Sequence, residues 1–415
     1  MSKHPTLDVC MSIEGETHRV GRLGFADSKG QSIARFEYDP RWLELPGAFE
    51  IDPEAPMTRG QHFPAGEFFK GIGDSAPDKW GREIMRRREV RRAKAAGEKQ
   101  RTLFEYDYLI GVADLPRMGG IRLRYEGEET FQTPLGGEGV PALVALPRLY
   151  EAAGRIERGQ ETDEDLTLLF CQGSSLGGAR PKASIRNNNG ELSIAKFPKD
   201  TDTYSLERWE SIALTLASMA GMDVSEHSLI ELAGRDVLLS VRFDRESDVR
   251  IPFMSAMARL QAVDGEQGSY LDMIDDIVQN SNRAKQDRLE LFRRVVFNVL
   301  ISNVDDHLRN HGFLYRNGGW SLSPLYDVNP TPVQFKPRIL TTAIDFENAS
   351  CSIDTVLDTA DFYQLSKRDA ETIVRSVAKV TSQWRAAAER AGAKSSEIRM
   401  MESAFEHEDL DKALA

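Results

Sequence analysis

The sequence predicts an α+β chain in two lobes, with a small β-rich subdomain at its N-terminal side and a mainly α-helical lobe at its C-terminal side. Three observations predict it. Residues 7–40 alternate apolar and polar side chains at period two, with turn signals at Glu14-Gly15-Glu16 and Ser28-Lys29-Gly30, as a β-meander does. Residues 354–407 carry a helical pattern throughout. Between them, a Gly-rich loop at 173–178 sits before strand-like runs at 183–185 and 192–197 and a helix at 206–220, a β-loop-β-α order.

The remaining elements follow in chain order. A helix spans 78–101 and gathers Arg82, Arg86, Arg87, Arg88, Arg91, Arg92, Lys94, Lys99 and Arg101, the one strongly basic stretch. It is either a solvated helix face or a contact for a phosphate-rich or acidic partner. The Gly/Pro-rich run Pro134-Leu135-Gly136-Gly137-Glu138-Gly139 marks a boundary before a helix at 142–158. A hairpin at 227–243 turns at Gly234-Arg235-Asp236, an amphipathic helix covers 285–302, and a second hairpin turns at Arg316-Asn317-Gly318-Gly319. At 415 residues one core does not organise the whole chain, so the expected division is 1–135, 136–245 and 246–415.

Composition narrows the function classes. With 40% hydrophobic and 28% charged residues the chain is an ordinary globular one. Lys plus Arg total 53 against 65 Asp plus Glu, a net charge of -12, so the surface as a whole repels nucleic acid. Cys10, Cys171 and Cys351 lie far apart and form neither a CxxC pair nor a Cys/His cluster, which argues against structural zinc and a disulfide framework and for a reducing compartment. Met1 to Pro5 lead into no apolar stretch, and no run of eighteen apolar residues occurs, so the expectation is a cytoplasmic chain with no membrane contact.

The most specific constellation is Asn303-Val304-Asp305-Asp306-His307-Leu308-Arg309-Asn310, followed by the second hairpin and Leu325-Tyr326-Asp327-Val328. An Asp, an Asn five residues on, a short hairpin and a further Asp is the order of protein-kinase catalytic and metal loops. Asp305 then takes the proton of the attacking hydroxyl, while Asn310 and Asp327 offer oxygens to magnesium. His307 is placed to steady the transferring phosphate, or is a satisfied structural histidine. The competing reading is that Asp305 and Asp306 cap a turn and Asn310 serves the backbone.

A second constellation, Gly173-Ser174-Ser175-Leu176-Gly177-Gly178-Ala179-Arg180-Pro181-Lys182, can bring backbone N–H groups against phosphate oxygens, or be a plain loop. Fourteen residues after Lys182, Lys196 stands on a strand before Phe197-Pro198, where kinases hold the lysine that grips the α- and β-phosphates. The next helix presents Glu207 and Glu210, and Glu210 is the preferred partner for Lys196. The candidate ATP-binding set is Ser175, Gly177, Gly178, Ala179, Lys182, Lys196, Glu210 and, in the strand 238–243 taken as the link between lobes, Ser240, Val241 and Phe243.

With these motifs in place the chain resembles the HipA family of toxin kinases over nearly its full length. The resemblance is carried by residues 173–182, by Lys196-Phe197-Pro198, by Asp305 to Asn310 with Ser323 to Asp327, and by Phe36-Glu37-Tyr38-Asp39 with Trp42-Leu43. It implies a two-lobed, protein-kinase-like fold and ATP with Mg2+ as cofactors. It also implies a serine on a target protein as acceptor, in characterised members an aminoacyl-tRNA synthetase. Autophosphorylation in the Gly-rich loop is implied at Ser175 or its neighbour Ser174, and a HipB-like helix-turn-helix antitoxin is the implied partner, with DNA contacted mainly through it. Asp306 and Arg180-Pro181 depart from the best-known pattern. A metabolite kinase and a catalytically weak module that binds antitoxin and DNA remain alternatives.

Overall fold

The computed structural model describes residues 4–28, 31–133, 139–170 and 178–415. The chain forms two compact units, residues 1–201 with 239–254, and residues 202–238 with 255–415. The boundary expected near 135 falls inside the first unit, and the chain crosses between units at 201/202, 238/239 and 254/255.

In the first unit, strands β1 (Leu7–Ile13), β2 (Glu16–Ser28), β3 (Gln31–Tyr38), β4 (Gln61–His62) and β5 (Ile121–Tyr125) form one antiparallel sheet in the order β4-β3-β2-β1-β5. Pairing runs Leu7↔Leu23 and Gly21↔Tyr38, with a bulge between Val9 and Cys10. A side chain at Gly21 would sit 2.2 Å from the Glu37 carbonyl oxygen, so only glycine fits that crossing. β1 departs from simple alternation because both its faces are covered. Asp8 is buried there with Leu7 and Val9, and Arg19 at 2.7 Å supplies the countercharge.

The basic helix runs Lys79–Ala96 and stops five residues before the expected Arg101. Gly97 ends it in the left-handed region, φ 65°, with its amide on the Ala93 and Lys94 carbonyls. Its arginines are committed inside the unit: Arg82 is bidentate to Glu105 (2.6 and 2.7 Å), Arg87 and Arg92 pair with Glu83 and Glu89, and Arg91 pairs with Asp163. Arg88 lies over the Phe170 ring at 4.4 Å. Compositional charge is therefore neutralised locally, and the helix offers less free positive potential than its sequence implies.

In the second unit, a helix over Leu206–Met219 starts at Ser205, whose hydroxyl accepts from the Arg208 amide. β8 (His227–Leu232) and β9 (Arg235–Val241) turn at Ala233-Gly234, both with positive φ. Helix Tyr270–Asn280 opens with a capping box at Ser269 and Asp272. The central helix Ala284–Leu300 buries Leu291, Phe292, Val295, Val296, Phe297, Val299 and Leu300 almost completely, at about 1.5–3 kcal/mol for each large side chain taken out of water. The hairpin Gly312–Arg316 and Gly319–Leu322 turns at Asn317-Gly318, both left-handed as a two-residue hairpin loop requires. The segment expected to be helical from 354 to 407 is broken into Ile353–Asp358, Lys367–Thr381, Trp384–Arg390 and Ser395–Phe405, because Ser366 and Gly392 supply a cap and a stop. Trp384 and Phe405 stack at 4.7 Å beneath Trp209.

Among the described residues, no helix is long and apolar enough to cross a membrane.

Candidate active site

The helix Ala284–Leu300 delivers the chain into a loop, 301–307, and a short turn, Leu308–Asn310, that ends where the hairpin begins. Two adjacent aspartates in that loop have opposite environments. Asp306 is buried and takes hydrogen bonds from the Tyr270 hydroxyl at 2.6 Å, the Asn298 amide at 2.9 Å and His311 Nε2 at 2.7 Å. Burial alone would raise its carboxyl, yet the His311 ring and the hydrogen bonds from His311 and Tyr270 hold it below the ordinary range. Its backbone carbonyl accepts from the Thr342 hydroxyl at 2.7 Å. The departure noticed in the sequence is thus the anchor of the loop, and its partners lie too far along the chain for local spacing to show them.

With Asp306 turned inward, its neighbour Asp305 is turned out, its side chain 64% exposed. The Asn310 Nδ2 donates to the Asp305 carbonyl at 3.4 Å, which leaves the Asn310 Oδ1 as an acceptor. The second metal candidate is held to the same loop. The Tyr326 hydroxyl donates to the Arg309 carbonyl at 2.6 Å, and the Asn329 and Thr331 amides donate to Asn303 Oδ1 and the Ser302 carbonyl at 3.1 and 3.2 Å. Asp327 adopts φ 58°, the left-handed conformation that Asp tolerates better than bulkier residues, and its amide donates to Glu210 Oε1 at 3.1 Å. Glu210, Asp305, His307, Asn310 and Asp327 therefore belong to one unit, with Glu210 bonded to Asp327 and Asn310 bonded to Asp305. His307 is half-buried, and among the described residues its Nδ1 meets no hydrogen-bond partner.

Among the described residues no three His, Cys, Asp or Glu side chains cluster as a metal site. Asn310 and Asp327 fit a different chemistry: Mg2+ takes hard oxygen donors, keeps several waters, and commonly uses one or two protein oxygens together with substrate phosphates.

The first unit carries the other candidates. In the hairpin β6 (Lys182–Arg186) and β7 (Leu192–Lys196), Lys182 is the cross-strand partner of Lys196, so both side chains leave the same face. Like charges directly opposite are costly unless anions lie between them. Asp78 is one such anion: its Oδ2 meets the Lys182 ammonium at 2.7 Å with both side chains buried, while its Oδ1 caps helix Lys79–Ala96 through the Gly81 amide. Burial pushes the Asp78 carboxyl up, and Lys182 and the Gly81 amide pull it back only in part. Lys182, one of the residues expected at the ATP site, is paired with Asp78 of the N-terminal subdomain, a neighbour that no local motif announced.

Gly178 has φ 96°, and a side chain there would come within 3.0 Å of the Lys182 ammonium. Ala179 is exposed and Lys196 half-buried. Ser174, Ser175 and Gly177 lie outside the described residues. Ser240, Val241 and Phe243 are half-buried at the stretch where β9 passes from one unit to the other, and Phe243 packs on Phe253 at 6.0 Å.

Residues 174–384 match the HipA-like C-terminal domain and residues 11–107 the HipA N-terminal domain. Putative kinase Y4mE of Sinorhizobium fredii is 26% identical over 338 residues, covering 71% of this chain and 72% of that protein. A putative kinase of Haemophilus influenzae is 26% identical over 197 residues, covering 41% of this chain, and the match spans 57% of the relative's length. The serine/threonine-protein kinase toxin HipA of Shewanella oneidensis is 25% identical over 189 residues, 37% of this chain and 42% of that one. The fold is like that of a Shewanella oneidensis HipA solved with HipB and operator DNA, at TM-score 0.66 and 16% identity over 98% of this chain and 96% of that chain. With both family domains matched, and a fold of the two-lobed α+β kinase-like kind, this chain belongs to the HipA family.

Proposed function

We propose that the chain is a Mg2+- and ATP-dependent serine/threonine protein kinase, the toxin of a toxin–antitoxin module. The observation that carries this reading is the buried Asp306 anchor, which holds Asp305 exposed beside Asn310 while Tyr326 and Glu210 fix Asp327. Asp305 accepts the proton of the acceptor hydroxyl as that oxygen attacks the γ-phosphorus and the bond to the ADP leaving oxygen breaks. Asn310 and Asp327 would hold Mg2+, which supplies charge neutralisation for the phosphates. Lys196, on the same strand face as Lys182, pairs with the α- and β-phosphates, and Gly178 lets the backbone come close to them.

An exposed base suits a protein segment better than a small metabolite, which a closed pocket would enclose. The acceptor is a serine of a target protein, an aminoacyl-tRNA synthetase being the candidate class, and Ser175 or Ser174 is the autophosphorylated residue. A HipB-like antitoxin is the proposed partner, as HipB is in the Shewanella complex, and it makes most of the DNA contact because this chain is acidic overall.

Titration of Mg-ATP into two variants separates the roles. Asp305→Asn should bind Mg-ATP within about threefold of wild type and lose phosphoryl transfer by about a thousandfold or more, since the base goes and the metal oxygens stay. Asp327→Ala should weaken Mg-dependent ATP binding about tenfold or more. Wild-type turnover by Asp305→Asn would show the catalytic loop to be wrongly assigned.

A further inference from the structure

Phosphoryl transfer needs a cation close to the reacting oxygens, and Arg309, four residues after Asp305, is engaged by Asp264. A cation reaches Asp305 from another segment. Lys336 Nζ lies 2.9 Å from Asp305 Oδ1, both side chains more than half exposed.

Isolated exposed pairs of this kind are weak, but the backbone that carries Lys336 is fastened to the catalytic loop on both sides of it. Before it, the Thr331 amide donates to the Ser302 carbonyl at 3.2 Å, and the Phe335 and Lys336 amides close a turn on the Pro332 carbonyl at 2.9 and 3.4 Å. After it, Arg338 donates to the Val299 carbonyl and Ser302 Oγ, both at 3.0 Å, and pairs with buried Asp409 at 2.7 Å. Thr341 then bonds the Val304 carbonyl through both its amide, at 3.0 Å, and its hydroxyl, at 2.9 Å. Residues 331–341 form a strap whose ends are tied to 299–304, with Pro337 stiffening the position after Lys336. The strap holds one ammonium against the base.

We infer that Lys336 is a further catalytic residue, the cation that stabilises the transferring phosphoryl group; this rests on the kinase reading above. An ammonium has three donors, so Lys336 can keep Asp305 Oδ1 and offer a second N–H to a non-bridging γ-oxygen. The acceptor oxygen forms its bond to phosphorus, its proton passes to Asp305, and ADP leaves with the electron pair of the broken bond. Lys336 remains protonated throughout and acts by charge.

The test uses the full chain with Mg-ATP, reading phosphate incorporated per chain in single-turnover time courses and Mg-ATP affinity by calorimetry. Lys336→Met should lower the incorporation rate about a hundredfold, the usual loss when one such donor is removed, with Mg-ATP affinity within about threefold. Lys336→Arg should recover most of the rate, which loss of a merely structural contact would not predict. A Lys336→Met rate within about twofold of wild type, alongside an inactive Asp305→Asn control, overturns the assignment and leaves the kinase reading standing. No incorporation by the wild-type chain overturns the reading of a self-phosphorylating protein kinase, and this assignment with it.

Discussion

Asp305 and Asp306 are chemically identical and adjacent, and the fold gives them different work by giving them different surroundings. Asp306 has three side-chain donors around it, Tyr270, Asn298 and the His311 ring, so its charge is compensated and it can stay buried. Asp305 remains available because its neighbour is committed. A second titratable group, half-buried His407, lies at the C-terminal end of helix Ala284–Leu300, the end that leads into this loop. His407 donates through Nε2 to the Leu300 carbonyl at 3.2 Å and accepts the Leu410 amide at Nδ1, an arrangement that suits the neutral ring. Burial, and then the charge of Arg338, push it from its ordinary 6.5 down to about 4. Because the folded value lies below the unfolded one, this contribution to stability is present above pH 6.5 and is lost as the pH falls through about 4. Urea unfolding should show a loss of about 2 kcal/mol between pH 7.5 and pH 5 from this group, and His407→Gln should flatten that part of the profile. An unchanged slope in the variant would mean that His407 is not the group responsible.

At the scale of elements, the meander, the strands β6 and β7, the Asn317-Gly318 hairpin and the central helix were legible because each depends on neighbours close in sequence, whereas the basic helix was expected through to 101 and stops at Gly97. The order Asp305, Asn310, hairpin, Asp327 was legible for the same reason. What holds these residues was not. Tyr270 and Asn298 reach Asp306, Lys336 reaches Asp305, and Asp78 reaches Lys182 from 104 residues away, and nothing in local spacing marks such pairs. The Asp78–Lys182 bridge couples a helix cap to the strand that follows the Gly-rich loop, and it is buried, so half of it alone is expensive. Lys182→Met should destabilise the full chain by about 3–5 kcal/mol in urea, and adding Asp78→Asn should cost less than the sum of the two single changes. Strict additivity would show that the two side chains do not depend on each other.

For the whole molecule, two compact units and a mixture of helices with antiparallel sheets agree with an α+β, kinase-like chain of the HipA family. The placement of the cuts was less legible, since the unit boundaries at 201/202, 238/239 and 254/255 fall where the chain returns, and returns leave no compositional mark. The arginine-rich helix, read from sequence as either a solvated face or a partner contact, pairs its arginines with carboxylates that its composition alone does not mark. Function at this scale reduces to whether the chain moves a phosphate. The direct measurement is intact-mass and peptide-mapping spectrometry of the full chain after incubation with Mg2+ and ATP, with Asp305→Asn as control. One added phosphate at Ser175 or Ser174, absent from the variant, is the predicted result. An unmodified wild-type chain that nonetheless binds Mg-ATP would contradict a self-phosphorylating protein kinase and turn the search to small acceptors.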